Sequence, residues 1–331
     1  MRQLTQAMVL GTLLASTRCG DASAPEDVNN PPIDSTAGRI AFVTERLGTG
    51  GFVYVANADG SGLRQLPGDQ AHYSRPRWSP DGRRLAVTRD FGSHATSVFV
   101  IDVDGQSSMT GLVDGRDPAW SPDGKKIAFS AAGLNASVTG IYVMDADGRN
   151  TQRLTDPNDP AQCSQGSSAS DLAPDWSPDG TKIVFEHRIH INDDGGVVCG
   201  LDGWGSIPQI YIVNADGTGL RPLRRTTPLE SGVGPAWSPD GRSIAYSVPP
   251  NRDIKVIDSD GASPPVSVSP REAAVGFPMD PAWSPDGKRL LFLRVNPPNN
   301  WIAIVDVVSG TTQVLSFPAV QGTVSGPTWS R

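Results

Sequence analysis

The sequence predicts an all-β fold: a six-bladed β-propeller of four-stranded antiparallel blades, its ring closed by the C-terminal strand joining the N-terminal blade. Three observations predict it. The heptapeptide PAWSPDG stands at 118–124, 235–241 and 281–287, with variants PRWSPDG at 76–82 and PDWSPDG at 174–180 and a truncated PTWSR at 327–331. Its tryptophans, at 78, 120, 176, 237, 283 and 329, are spaced by 42, 56, 61, 46 and 46 residues, a period expected of propeller or solenoid units. Around each lie short stretches of alternating apolar and polar residues punctuated by Gly, Pro and Asp, the mark of antiparallel strands joined by tight turns.

The chain begins differently. MRQLTQAMVLGTLLASTRCG carries one Arg, an apolar stretch of about ten residues, then small residues and Cys19. About 20 apolar residues are needed to span a bilayer, so residues 1–18 are read as a signal peptide and not a membrane span. Residues 19–37 are polar and proline-rich, as a flexible tether would be. A cysteine at that junction resembles a bacterial lipoprotein, which implies lipidation of Cys19. Arg18 stands where such signals normally carry a small residue, so plain export is the alternative.

From residue 38 onward the repeat has a grammar, clearest in its third copy. DPAWS is a strand and PDG a turn; KKIAFSA is a second strand, GIYVMDADG a third with its own turn, and TQRLT a fourth. Ser121-Pro122-Asp123-Gly124 suits a type I turn: Pro122 presets φ, Asp123 can bond back to the backbone, and Gly124 closes it. Trp120 ends the innermost strand, where its ring can fill the wedge between blades. The Asp145–Gly148 and Asn214–Gly217 turns are not EF-hand loops, because Arg149 takes the next ligand slot after Asp145 and Asp147 and no Glu closes the loop. So many near-identical copies are skeleton, not active sites. The first unit, 38–68, lacks a leading WSPDG, and 326–331 is a first strand with nothing after it. Joining the two completes a blade and removes the open edges of the stack.

This run of WSPDG, IAF, IYVMDADG and RLT segments resembles the WD40-like repeat family of the TolB type. The resemblance covers residues 38–331 and implies the propeller fold. TolB carries an α/β domain before its propeller; here about twenty tether residues precede the first strand, so the resemblance is to the propeller part.

Composition narrows the function. The 331 residues are 19% charged and 37% hydrophobic, with 36 Gly and 29 Pro, and the net charge is −7. Nucleic acid needs a basic face, and no Lys/Arg cluster supplies one. There is no G-x-S-x-G elbow, P-loop or dinucleotide fingerprint. No catalytic residue or cofactor is assigned.

Function should lie where the units differ. The turns between first and second and between third and fourth strands are short and uniform, so one face of the ring is monotonous. The other face carries the long insertions, 156–174 and 187–208, as a binding face would. They hold Cys163 and Cys199, an even pair in an exported chain, read as a disulfide or else as two separate thiols. Trp204, flanked by glycines, is a candidate contact residue. His72, His94, His187 and His190 fall in loops of this face or at their edges, His72 and His94 in units across the ring from the two insertions. With Asp193 and Asp194 they could form a metal site; otherwise they are solvated loop histidines. Three residues before each repeat tryptophan stand Arg75, Asp117, Ala173, Gly234, Asp280 and Gly326, at the mouth of the channel, with Arg77 and Asp175 further in. Arg75, Asp117 and Asp280 are candidates for a peptide end or a cation.

The expected protein is an exported, lipid-anchored monomer of the periplasm or outer membrane that binds a cell-envelope protein or peptide through its long-loop face. Carbohydrate could stack on Trp204. The alternative is a metal-assisted polysaccharide lyase or hydrolase acting from the same face, some propeller lyases using a histidine-bound metal there.

Overall fold

A computed structural model describes residues 38–46, 50–69, 71–92, 95–104, 108–132, 139–156, 170–191, 205–224, 231–249, 253–268, 277–296, 299–317 and 323–330. Every secondary-structure element among them is a strand. Sheet one contains β1 (Arg39–Arg46), β2 (Gly50–Asn57) and β3 (Arg64–Gln65), and sheet two β4 (His72–Trp78), β5 (Arg84–Asp90), β6 (Thr96–Asp102) and β7 (Met109–Asp114). The third contains β8 (Arg116–Trp120), β9 (Lys126–Ala132), β10 (Thr139–Asp145), β11 (Gln152–Arg153), β12 (Ser170–Trp176), β13 (Lys182–Ile191), β14 (Gly205–Asn214) and β15 (Arg221–Pro222). The fourth has β16 (Val233–Trp237), β17 (Ser243–Val248), β18 (Asp253–Asp258) and β19 (Val266–Ser267). The fifth has β20 (Phe277–Trp283), β21 (Arg289–Asn296), β22 (Asn299–Asp306) and β23 (Thr312–Leu315). The last strand, β24 (Thr323–Trp329), pairs antiparallel with β1, giving sheet one the order β24-β1-β2-β3.

The expectation of a six-bladed propeller is therefore corrected. Four sheets are four-stranded antiparallel blades, and the other eight strands form one continuous sheet. What joins them is a parallel pairing of Thr139 in β10 with Ser170 in β12. A buried polar chain, described below, crosses at the same place. The all-β class and the pairing of the chain ends stand. The inner strands β24, β4, β8, β12, β16 and β20 pack in that order, and β20 returns to β24.

The core lies between layers. Trp120 packs with Ala86 and Val98 of sheet two and with Ile127, Phe129 and Met144 of sheet three. Trp78, Trp176, Trp237, Trp283 and Trp329 each sit in a corresponding apolar cluster. Burying an indole removes about 150–250 Å² from water, roughly 4–6 kcal/mol of transfer free energy before entropy is counted. Arginines cover several of these rings: Arg39 stands 4.7 Å from the Trp78 centroid and Arg84 4.6 Å from that of Trp120.

The tight turns fold as their chemistry requires. Gly124 donates its N–H to the Ser121 carbonyl at 2.9 Å, with φ of +69°. The Ser121 hydroxyl donates to Asp123 at 2.7 Å and accepts the Lys126 N–H at 2.9 Å. Ser79, Ser177, Ser238 and Ser284 repeat both contacts. At the chain ends the same geometry forms with no covalent link. Arg39 donates its N–H to the Ser330 hydroxyl at 2.8 Å, and the Ser330 N–H donates to the Arg39 carbonyl at 2.7 Å.

Candidate functional site

All six residues three places before a repeat tryptophan adopt a left-handed backbone: Arg75 (φ 51°), Asp117 (55°), Ala173 (51°), Gly234 (58°), Asp280 (52°) and Gly326 (53°). Each precedes a proline. Proline brings no N–H to the ladder, and in every inner strand the register shifts at this point, so each forms a β-bulge. Four of the six are not glycine. A left-handed non-glycine costs on the order of 1–3 kcal/mol and persists only where its surroundings over-determine it.

The bulges aim charge into the channel. Arg75 Nε lies 3.3 Å from Asp117 Oδ1 and its Nη1 2.9 Å from Asp280 Oδ1, an ion pair and not an aligned hydrogen bond. A Cβ on Gly234, across the ring, would sit 3.8 Å from Arg75 Nη1. The guanidinium therefore spans the channel. Burial opposes its charge, but Asp280, Asp117 and Glu186 outweigh that and raise its pKa above the ordinary arginine value. Three of the sequence candidates, Arg75, Asp117 and Asp280, are thus brought together, and they satisfy one another.

One step along the strands toward the tight turns lies a pocket of about 260 Å³. Trp78, Trp120, Trp237, Trp283 and Trp329 line it, with the turn prolines Pro80, Pro122, Pro178 and Pro239 and two charged side chains, Arg77 and Asp175. Asp175 accepts the Trp237 N–H at 2.8 Å.

His187 departs from the expectation of a solvated loop histidine. It lies in β13, 1% exposed, with Nδ1 2.6 Å from Asp171 Oδ1 and its ring 4.5 Å from that of Tyr211. Asp171, also buried, accepts the Thr155 hydroxyl through Oδ2 at 2.5 Å, and Thr155 accepts the Ile141 N–H at 2.9 Å. The chain Ile141–Thr155–Asp171–His187 thus ties β10 to β12 and β13 where the eight-stranded sheet is joined. Beside it, buried Glu186 takes Arg188 Nε at 2.5 Å and the Gly234 N–H at 3.3 Å.

The other candidates separate. His72 opens β4, exposed and opposite Asp90. His190 lies in β13 opposite Ser206. His94, Asp193, Asp194, Trp204, Cys19, Cys163 and Cys199 lie outside the described residues. Among the described residues, no three His, Cys, Asp or Glu have metal-ligand spacing. Sequence reasoning missed Asp171 and Thr155. Their signal was there: Asp171 occupies a position, five before the repeat tryptophan, that holds Tyr73, Gly115, Gly232, Pro278 and Val324 in the other units, and Glu186-His187 follows an apolar run.

Sheets ringed around a channel, each with its innermost strand ending in a tryptophan, define a β-propeller protein. The model of the TolB β-propeller domain family matches residues 35–331, and the chain belongs to that family. Among solved structures, it is similar to TolB from Acinetobacter baumannii, at 21% identity and a TM-score of 0.69, covering 90% of this chain and 67% of that one. A chain in a nidogen–laminin complex gives 0.65 at 13% identity, covering 89% of this chain and 99% of that one. A protein described as TolB from Agrobacterium tumefaciens gives 0.59 at 19%, covering 84% and 88%. At these identities the likeness is one of fold. No curated protein matches the chain.

Proposed function

We propose that this propeller is an exported protein- or peptide-binding module of the cell envelope, tethered through a lipid on Cys19. Its binding face is the end from which segments 157–169 and 192–204 leave the ring. The observation that carries this reading is the buried chain through Asp171 and His187. It lies beneath the roots of both segments, because Ser170 pairs with Arg188 and Ile191 with Gly205 at one end of one sheet. A rigid polar foundation under two long segments is what a pre-organised recognition surface needs. Membership of the TolB propeller family supports the same reading. Within it, Trp204, Asp193, Asp194 and His190 are contact residues, His187 is a positioning residue, and a Cys163–Cys199 bridge would hold the segments together.

A photo-crosslinking residue at position 204 tests this in intact cells, with one at the exposed Val308 as the comparison. A discrete envelope-protein adduct from 204 and none from 308 is the expected result. Equal adducts, or none from 204, would remove the long-segment face as the binding surface. Globomycin-sensitive processing and membrane fractionation of a Cys19→Ala variant check the anchor.

A further inference from the structure

The opposite end of the channel is also built to hold something. The pocket there is walled by indole and proline, and the Arg75 ion pairs span the channel at its inner end. Arg77 lies in its wall, and among the described residues no carboxylate comes within 4 Å of it; its one hydrogen bond is to the neighbouring Pro76 carbonyl, at 3.2 Å. The nearby acids are already engaged: Asp117 and Asp280 by Arg75, Glu186 by Arg188, and Asp175 by the Trp237 backbone N–H. Burial, joined by repulsion from Arg75, lowers the Arg77 pKa against the pull of Asp175, Asp280 and Asp117, so its charge is under-compensated. Behind the wall, the indole N–H groups of Trp78, Trp120 and Trp237 find no acceptor among the described residues. In the pocket wall itself the charged side chains are Arg77 and Asp175.

We propose that the pocket binds a small organic acid with an aromatic or branched apolar body, the body against the tryptophans and prolines and the carboxylate on Arg77. A guanidinium pairs with carboxylate through two parallel N–H bonds, and Arg77, whose hydrogen bond goes to the Pro76 carbonyl, keeps donors for such a pair. A pocket this size, spanned at its inner end, suits a small molecule better than a folded partner. This site is independent of the long-segment face, so either assignment can fail alone.

The test is calorimetric titration of the full-length protein with phenylacetate, 3-phenylpropionate and phenylacetamide, with tryptophan fluorescence as a second readout. The expected result is saturable binding of an acid at least about tenfold tighter than the amide, since a charge-assisted hydrogen bond contributes about 1.5–3 kcal/mol. Arg77→Gln, with an unchanged unfolding midpoint, should reduce the acids to the level of the amide. Equal affinity for acid and amide in the natural protein would overturn the proposal, and this arm needs no variant. So would an acid preference that survives Arg77→Gln, or no saturable binding by either acid.

Discussion

Five of the tight turns and the seam between the chain ends build the same hydrogen bonds by different means. In the turns, a serine hydroxyl accepts the N–H five residues on and is held by an aspartate two residues on, as in Ser121, Lys126 and Asp123. At the seam Ser330 accepts from Arg39 across 291 positions of sequence, with no aspartate in the described residues to hold it. The turns are local and form cheaply. The seam must overcome the closure entropy of nearly the whole chain, which grows only slowly with length. It relies on what surrounds it: Trp329, Val324, Ile40 and Phe42 in one apolar cluster, and Arg289 over the Trp329 ring at 5.4 Å. Closing a propeller thus needs no new bond type, only the turn's bonds supplied in two pieces and supported by a core.

The largest test of that comparison is Trp329→Ala. It should cost about 3–5 kcal/mol in urea unfolding and broaden the transition, whereas Trp237→Ala should lower the midpoint with the transition kept sharp. Identical behaviour would mean the seam is no weaker than the covalent turns. Next is Gly38→Ala. Gly38 has φ of +97°, and a Cβ there would meet Trp329 Nε1 at 2.9 Å. A loss on the order of 2–3 kcal/mol is expected from strain and displaced indole together, read as a fall in melting temperature. Smaller still is Ser330→Ala, at about 1 kcal/mol. Ser121→Ala should cost less, because the Gly124 to Ser121 backbone bond keeps the turn closed. The reverse order would show that the hydroxyl matters more in the turns. The smallest effect is acid dependence. Hydroxyl bonds from Ser79, Ser121, Ser177 and Ser238 hold Asp81, Asp123, Asp179 and Asp240 below the usual carboxylate value near 3.9. Their contribution is therefore complete above about pH 4 and fades as the pH falls through the lowered values. Changing all four aspartates to asparagine should flatten the stability–pH curve below pH 4 and leave the seam's own behaviour unchanged.

The skeleton was legible because it is written in local chemistry. Ser-Pro-Asp-Gly specifies its turn from four residues, and tryptophan period and missing half-units specify that the ends must pair. The joined sheet was not legible. It depends on Thr139 meeting Ser170, and on Asp171 meeting His187 and Thr155, contacts between residues whose partners are set only by the fold. For the same reason His187 read as a loop histidine: Asp171 in an otherwise small or apolar slot gives no hint of its partner until the strands are laid side by side. The channel charges were visible as Arg75, Asp117 and Asp280, but their mutual pairing was not. Their left-handed backbone also runs against the usual effect of a following proline, which favours extended conformations. The bulge outweighs that local preference.

The joined sheet has a mechanical consequence. At three other junctions of the ring a backbone hydrogen bond also crosses between layers, from Gly51 to Ala71, from Gly115 to Thr96 and from Gly232 to Pro208. Between β10 and β12 the backbone pairing is reinforced by the buried chain through Thr155, Asp171 and His187, so this junction resists distortion with more than a single bond. Asp156, Ser170, Ile191 and Gly205, the four points from which the long segments depart, stand on or beside this reinforced junction. A partner gripping both segments would meet a fixed jaw and not a hinge.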